Sequence, residues 1–134
     1  MIIPTEMFKQ ERRRKQDEAR LQAQCFQWCW NTFPQTRRLL FHVENERSDG
    51  NKIDGARRVA MGLVAGVSDL ILLIPRGEYH GLCIEMKTLT GKQRENQRTW
   101  QMLVETNGYQ YCLCRTFEQF QHIITAYLSL PTKK

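Results

Sequence analysis

Charged residues set into apolar strand sequence constrain this chain more than any other feature. Gly66-Val67-Ser68-Asp69-Leu70-Ile71-Leu72-Leu73-Ile74-Pro75 reads as an apolar strand opened by an aspartate. Leu82-Cys83-Ile84-Glu85-Met86-Lys87 reads as a second, closed by a glutamate and a lysine. A charge on a buried strand is costly unless it is paired, hydrogen-bonded or bound to a metal. Side chains alternate along a strand, so Glu85 and Lys87 project from one face and Met86 from the other. Leu70, Leu72 and Ile74 share one face of the first strand, Ile71 and Leu73 the other. That pattern predicts a strand buried on both sides within a sandwich of helices.

The segment 75–81 is polar and rich in turn formers, which predicts an antiparallel hairpin. With Ile74 near Leu82, the register sets Asp69 opposite the Glu85-to-Lys87 region, at the end away from the turn. Taken singly, each charge could be a solvated edge residue or a surface salt-bridge partner. Together they make a divalent-cation site with a cationic neighbour, which is chemistry for cutting phosphodiesters.

The other elements follow from periodicity. Residues 5–15 are highly charged and include Arg12-Arg13-Arg14-Lys15. They read either as a solvated helix start or frayed arm, or as an arm that contacts phosphates. A helix then runs to about Asn31, with Leu21, Cys25, Trp28 and Cys29 as its apolar stripe. Glu18 and Gln22, four apart, share a neighbouring face, and Pro34 ends the element. A strand is expected at 38–43, a loop at 48–52 and a short helix carrying Arg57 and Arg58 at 54–61. After Lys87, a helix is expected over 92–107, packing through Trp100, Leu103 and Val104 and stopped by Gly108. A strand at 109–114 comes next. A capping box at Thr116–Gln119 then opens a helix with Phe117, Phe120, Ile124 and Tyr127 on its apolar stripe. Strand 82–87, the helix and strand 109–114 form a crossover that makes the two strands parallel and the connection right-handed. The fold class is α/β, a mixed central sheet flanked by helices.

At 134 residues the chain is expected to be one domain, 1–134, with 1–15 a candidate flexible basic arm. Its 20 Lys and Arg against 14 Asp and Glu leave a formal charge of +6, which suits a polyanionic partner. No apolar run approaches the roughly 20 residues that span a bilayer. The amino-terminal sequence lacks signal-peptide architecture, so a cytoplasmic and not a secreted protein is expected. Five cysteines argue against a closed disulfide framework. A zinc site with His42, His80 or His122 would need spacings that match no common finger, so thiols in a reducing cell are the favoured reading.

Read in order, these motifs resemble a stand-alone VRR-NUC (virus-type replication-repair nuclease) domain of the PD-(D/E)XK superfamily. The resemblance rests on Gly66-Val67-Ser68-Asp69, on Glu85-Met86-Lys87 and on the glutamine segment from Gly91 to Gln97. Glu18-Ala19-Arg20-Leu21-Gln22 resembles the first-helix motif, and Val43-Glu44-Asn45-Glu46 the Asn-containing strand end. It runs from the first helix to about Leu128. Ser68 stands where the family usually has proline, a position that shapes backbone and contributes no ligand.

Hard oxygen donors select Mg²⁺ or Mn²⁺, held by Asp69, Glu85 and the Met86 backbone carbonyl, with Lys87 as the electrostatic catalyst. The resemblance implies that Glu18 lies near the metal, and that Gln22 and Gln97 support the site or the scissile phosphate. It implies a weaker role of the same kind for Asn45. Arg57, Arg58, Lys92 and Arg94 are candidate phosphate contacts, each of which could equally be a solvated face. The resemblance further implies a structure-selective endonuclease for branched DNA such as four-way (Holliday) junctions. It implies a homodimer and a phage or prophage source, acting in the bacterial host cytoplasm. The alternatives are a DNA-binding module of this fold without nuclease activity, and a general or restriction-type duplex endonuclease.

Overall fold

A computed structural model describes residues 5–44 and 52–132, with side chains over 12–44 and 53–132. Asn45 and the loop at 48–51 lie outside the described residues. The elements are helix α1 (Thr5–Thr32), strand β1 (Leu40–His42), helix α2 (Lys52–Ala60), strands β2 (Leu70–Leu72) and β3 (Leu82–Met86), helix α3 (Glu95–Thr106), strand β4 (Gln110–Cys114) and helix α4 (Phe117–Leu128). Residues 5–15 form the first turns of α1.

The sheet order is β1-β2-β3-β4, antiparallel except for the parallel β3–β4 pair that α3 connects. The hairpin register pairs Leu72 with Leu82 and Leu70 with Ile84, two residues from the expected pairing of Ile74 with Leu82. A slip of two keeps every side chain on its expected face, so Asp69 stands opposite Glu85. β1 is shorter than the expected 38–43. A 3₁₀ turn at Pro34–Thr36 runs into a turn in which Arg38 adopts φ +70°, and pairing starts only at Leu40.

Leu40, Leu70, Leu72, Leu82, Ile84, Met86 and Cys114 form one face of the sheet. They make the core with Cys25 and Cys29 of α1 and Phe120, Ile124 and Tyr127 of α4. Trp28 meets Phe33, Phe117 and Phe120 edge-on at ring distances of 5.6–6.2 Å, joining the two helices. Thr116 caps α4 by accepting from the Gln119 N–H at 3.1 Å.

The opposite face corrects the expectation of a strand buried on both sides. α3 covers it at β3 and β4, where Trp100 meets Tyr111. At β1 and β2 the described residues leave it partly open: Phe41 is 38% and Leu73 51% exposed. α3 starts at Glu95, later than expected, because Arg94 takes an extended backbone as its N-cap, and Leu103, expected to pack, is exposed. Gln93 therefore precedes the helix, donating to the Gln101 side chain and the Tyr111 hydroxyl.

All five cysteines are free thiols, four of them buried. Among the described residues no three His, Cys, Asp or Glu side chains are grouped to hold a metal. No helix there is long and apolar enough to cross a membrane.

Candidate active site

Asp69 precedes β2, and Glu85 and Lys87 lie at the end of β3, on the sheet face away from the main core. The Met86 N–H donates to Asp69 Oδ2 at 2.8 Å, which fixes that carboxylate against the neighbouring strand. A residue's N–H and C=O leave a strand on the same edge, so the Met86 carbonyl also points to the Asp69 side. Lys87 Nζ lies 3.9 Å from Glu85 Oε1, with Glu85 2% and Lys87 7% exposed.

Gln97 joins this cluster from α3. Its Nε2 donates to Glu85 Oε1 at 2.9 Å, while its Oε1 accepts from the Arg94 N–H at 2.8 Å at the start of the helix. One amide thus caps α3 and holds the carboxylate. Gly66 permits this approach. Its φ is +88°, and a Cβ there would collide with the Asn96 carbonyl.

Burial pushes the Glu85 carboxyl up to about 9, and the neighbouring Asp69 adds to the shift by charge repulsion and hydrogen bonding. The Lys87 ammonium pulls the other way and is outweighed. Glu18, half-buried on α1, is also raised, chiefly by burial; Lys87 opposes the shift and Asp69 adds to it. Glu18 is therefore near the cluster without being grouped with Asp69 and Glu85 as a third ligand. Glu85 Oε2 is buried and has no hydrogen-bond partner among the described residues. An orphaned carboxylate oxygen beside a second carboxylate and a strand carbonyl fits a hard divalent cation.

Two features were not found from sequence. His42 Nδ1 lies 2.9 Å from the Asp69 carbonyl oxygen and 2.9 Å from Gln22 Nε2; as an N–H it donates to that carbonyl, and as a lone pair it accepts from Gln22, so Gln22 adjoins the site beside His42. Arg115 Nη1 donates to the carbonyls of Thr88 (2.7 Å) and Gly91 (2.6 Å), pinning the loop that carries the chain from Lys87 to α3. Neither had a local signal: a lone histidine at a strand end and a lone arginine after another strand are common surface residues.

The cluster opens into a cleft of about 1270 Å³ between the sheet and α1. Glu18, Gln22, Asp69, Glu85, Lys87 and Gln97 all line it. Arg14, Lys15, Arg38, Arg58, Lys92 and Arg94 line it as well. Of the candidate phosphate contacts, Arg57 is exposed and does not line the cleft, whereas Arg58, Lys92 and Arg94 do.

The VRR-NUC domain family model matches residues 9–118, a span that includes every one of these cluster residues. The chain belongs to the VRR-NUC domain family. This is a nuclease-type domain, which implies a DNA substrate. A solved structure described as a VRR_NUC domain protein superposes with a TM-score of 0.70 at 23% identity, covering 86% of this chain and 90% of that one. The likeness shows that the VRR-NUC fold extends over most of the chain. No relative is found among curated proteins.

Proposed function

We propose that this VRR-NUC domain is a metal-dependent, structure-selective DNA endonuclease acting on branched DNA such as four-way junctions, and that it works as a homodimer. The observation that carries the reading is the convergence of Asp69, Glu85 and Lys87 around a buried Glu85 oxygen that has no hydrogen-bond partner among the described residues. Asp69, Glu85 and the Met86 carbonyl would hold Mg²⁺ or Mn²⁺. When bound, such an ion lowers the pKa of a coordinated water and offsets charge on the phosphoryl oxygen.

The chain's own groups do the rest. Lys87, held beside Glu85 and out of bulk water, stabilises negative charge as it develops on the phosphoryl group under attack. Gln97 fixes the Glu85 rotamer through a bond anchored on the start of α3. Glu18 faces Lys87 and Asp69 from α1 and adds to the acidic character of the cleft. His42 braces the backbone at Asp69, and Gln22 lies against the His42 ring. Lys92, Arg94 and Arg58 hold the sugar–phosphate chain along the cleft.

The test incubates four-way junction, flap, nicked and linear duplex DNA with the protein in Mg²⁺, Mn²⁺ or EDTA, alongside Lys87→Ala. Junction cleavage that needs both metal and Lys87 is the expected result. Tight junction binding without cutting in any metal would leave a DNA-binding module, and equal cutting of every substrate would leave a general endonuclease. Sedimentation without DNA checks the dimer, which a monomer at micromolar concentration would exclude.

A further inference from the structure

The cleft continues along α1 beyond the acidic cluster. Glu18, Gln22, Phe26 and Trp30 follow one another at four-residue spacing and all line it, each about 6 Å farther along the helix axis. The first two belong to the site already described. The next two are aromatic. Phe26 and Trp30 form a tilted pair with ring centres 6.1 Å apart. The Arg37 guanidinium lies 5.4 Å from the Trp30 ring centre, and its Nε donates to the Trp30 carbonyl at 2.9 Å. Phe41 of β1 also lines the cleft, beside Arg38.

Core packing does not account for this arrangement. Trp28 is the tryptophan turned inward, against Phe33, Phe117 and Phe120, whereas Trp30 is 39% exposed. Phe26 packs at the margin of the core and Phe41 is exposed. Open aromatic rings beside guanidinium groups, in a cleft with a cationic rim, match the two chemistries of a nucleic-acid strand: base faces that stack and phosphates that need neutralising. Base faces inside a duplex are already stacked on one another, so such rings can be covered only by unpaired nucleotides.

We propose that Phe26 and Trp30, with Arg37, form a stacking platform for unpaired nucleotides. The branched substrate is then one that carries, or opens at its branch point, unpaired nucleotides beside the scissile phosphate. The proposal rests on the nuclease reading of the acidic cluster. Phe26 and Trp30 lie about 12 and 18 Å along α1 from Glu18. At about 3.4 Å per stacked nucleotide, they would engage bases roughly three to five nucleotides from the cut.

The experiment measures binding of the full chain, in EDTA, to a labelled single strand, a blunt duplex and a duplex with a single-stranded tail. Trp30→Ala should weaken single-strand and tailed binding about 5- to 100-fold, leave the blunt duplex within about 2-fold, and be largely restored in Trp30→Phe. Intrinsic tryptophan fluorescence should be quenched by the single strand in the wild type, and the quench should shrink in Trp30→Phe, which retains Trp28 and Trp100. That comparison decides the matter even if Trp30→Ala does not fold. Unchanged binding, an equal loss on all three DNAs, or a full quench in Trp30→Phe would overturn the platform. So would a Trp30→Ala protein that loses self-association but keeps its single-strand affinity. Failure of the nuclease reading looks different: no DNA is cut in Mg²⁺ or Mn²⁺, while single-strand binding still depends on Trp30.

Discussion

β3 presents two faces that are equally buried and chemically opposite. Leu82, Ile84 and Met86 turn to α1 and α4 and meet apolar side chains there. Cys83, Glu85 and Lys87 alternate with them on the other face and are as inaccessible, yet two of the three are ionisable partners in the cleft. Burial alone does not separate core from site. The difference is whether the buried atoms are satisfied: the first face is closed by packing, while the second keeps a carboxylate oxygen without a hydrogen-bond partner among the described residues. Such an atom lowers the stability of the folded chain unless a ligand meets it.

Substitution should split the two faces cleanly. Phe120, fully buried against the first face, should lose about 3–5 kcal/mol of stability as Phe120→Ala in urea melts. Lys87→Ala should instead lower the cleavage rate by roughly 10²–10³-fold, a loss of about 3–4 kcal/mol of transition-state stabilisation. Glu85→Gln should likewise remove cleavage while melting no earlier than the wild type without metal. If Glu85→Gln destabilised as much as Phe120→Ala, the acidic face would be structural and the contrast would fail.

Gly66→Ala tests the junction between the faces. The new methyl group would strike the Asn96 carbonyl in a backbone that already requires positive φ, so a loss of about 1–3 kcal/mol is expected. Because Gln97 is the next residue, cleavage by the folded fraction should fall as well. Full activity in that fraction would mean that Gln97 does not position Glu85.

The raised Glu85 carboxyl fixes the sign of a pH effect. Between the ordinary carboxylate range and about 9, the folded protein holds a proton at Glu85 that the unfolded chain has released. In EDTA, stability should therefore fall as pH rises through that window, by at most about 1.4 kcal/mol per pH unit from this group. Glu85→Gln should flatten the slope. A divalent cation competes with the same proton, so Mn²⁺ should raise Tm more at pH 8 than at pH 6. A Mn²⁺ effect independent of pH would place the ion away from Glu85.

How much of this was legible in the chain depends on the range of the interaction. Asp69, Glu85 and Lys87 were readable because strand alternation and the cost of burying charge both act locally, and a register slip of two preserved their meeting. Gln97 came from the spacing of a recognisable motif. Its double duty between the Arg94 N–H and Glu85 required knowing where α3 starts. That start is set partly by Arg115, 24 to 27 residues from the carbonyls it holds. The exposure of Leu73 and Phe41 was equally hidden, because an apolar alternation shows that a strand can be covered and not whether a helix covers it. Ser68, standing where proline is usual, keeps the local geometry in another way: its buried hydroxyl donates to the Leu70 carbonyl at 3.1 Å.

The smallest effect concerns the residue that sequence reasoning passed over. His42 touches Asp69 at its backbone carbonyl and not at its carboxylate, so it can act on the reaction only by steadying the residue that carries the acid. Loss of that contact should let the Asp69 backbone shift slightly while the Met86 N–H still holds the side chain. His42→Ala should then slow cleavage by less than about tenfold, under about 1.4 kcal/mol, with DNA affinity unchanged. His42→Asn places an amide nitrogen near the position of Nδ1 and should recover most of the rate. Gln22→Ala, one contact farther away, should cost less than His42→Ala. A loss of a hundredfold or more in His42→Ala, not recovered by Asn, would put the imidazole among the reacting groups and extend the catalytic surface beyond the acidic cluster to the α1 side of the sheet.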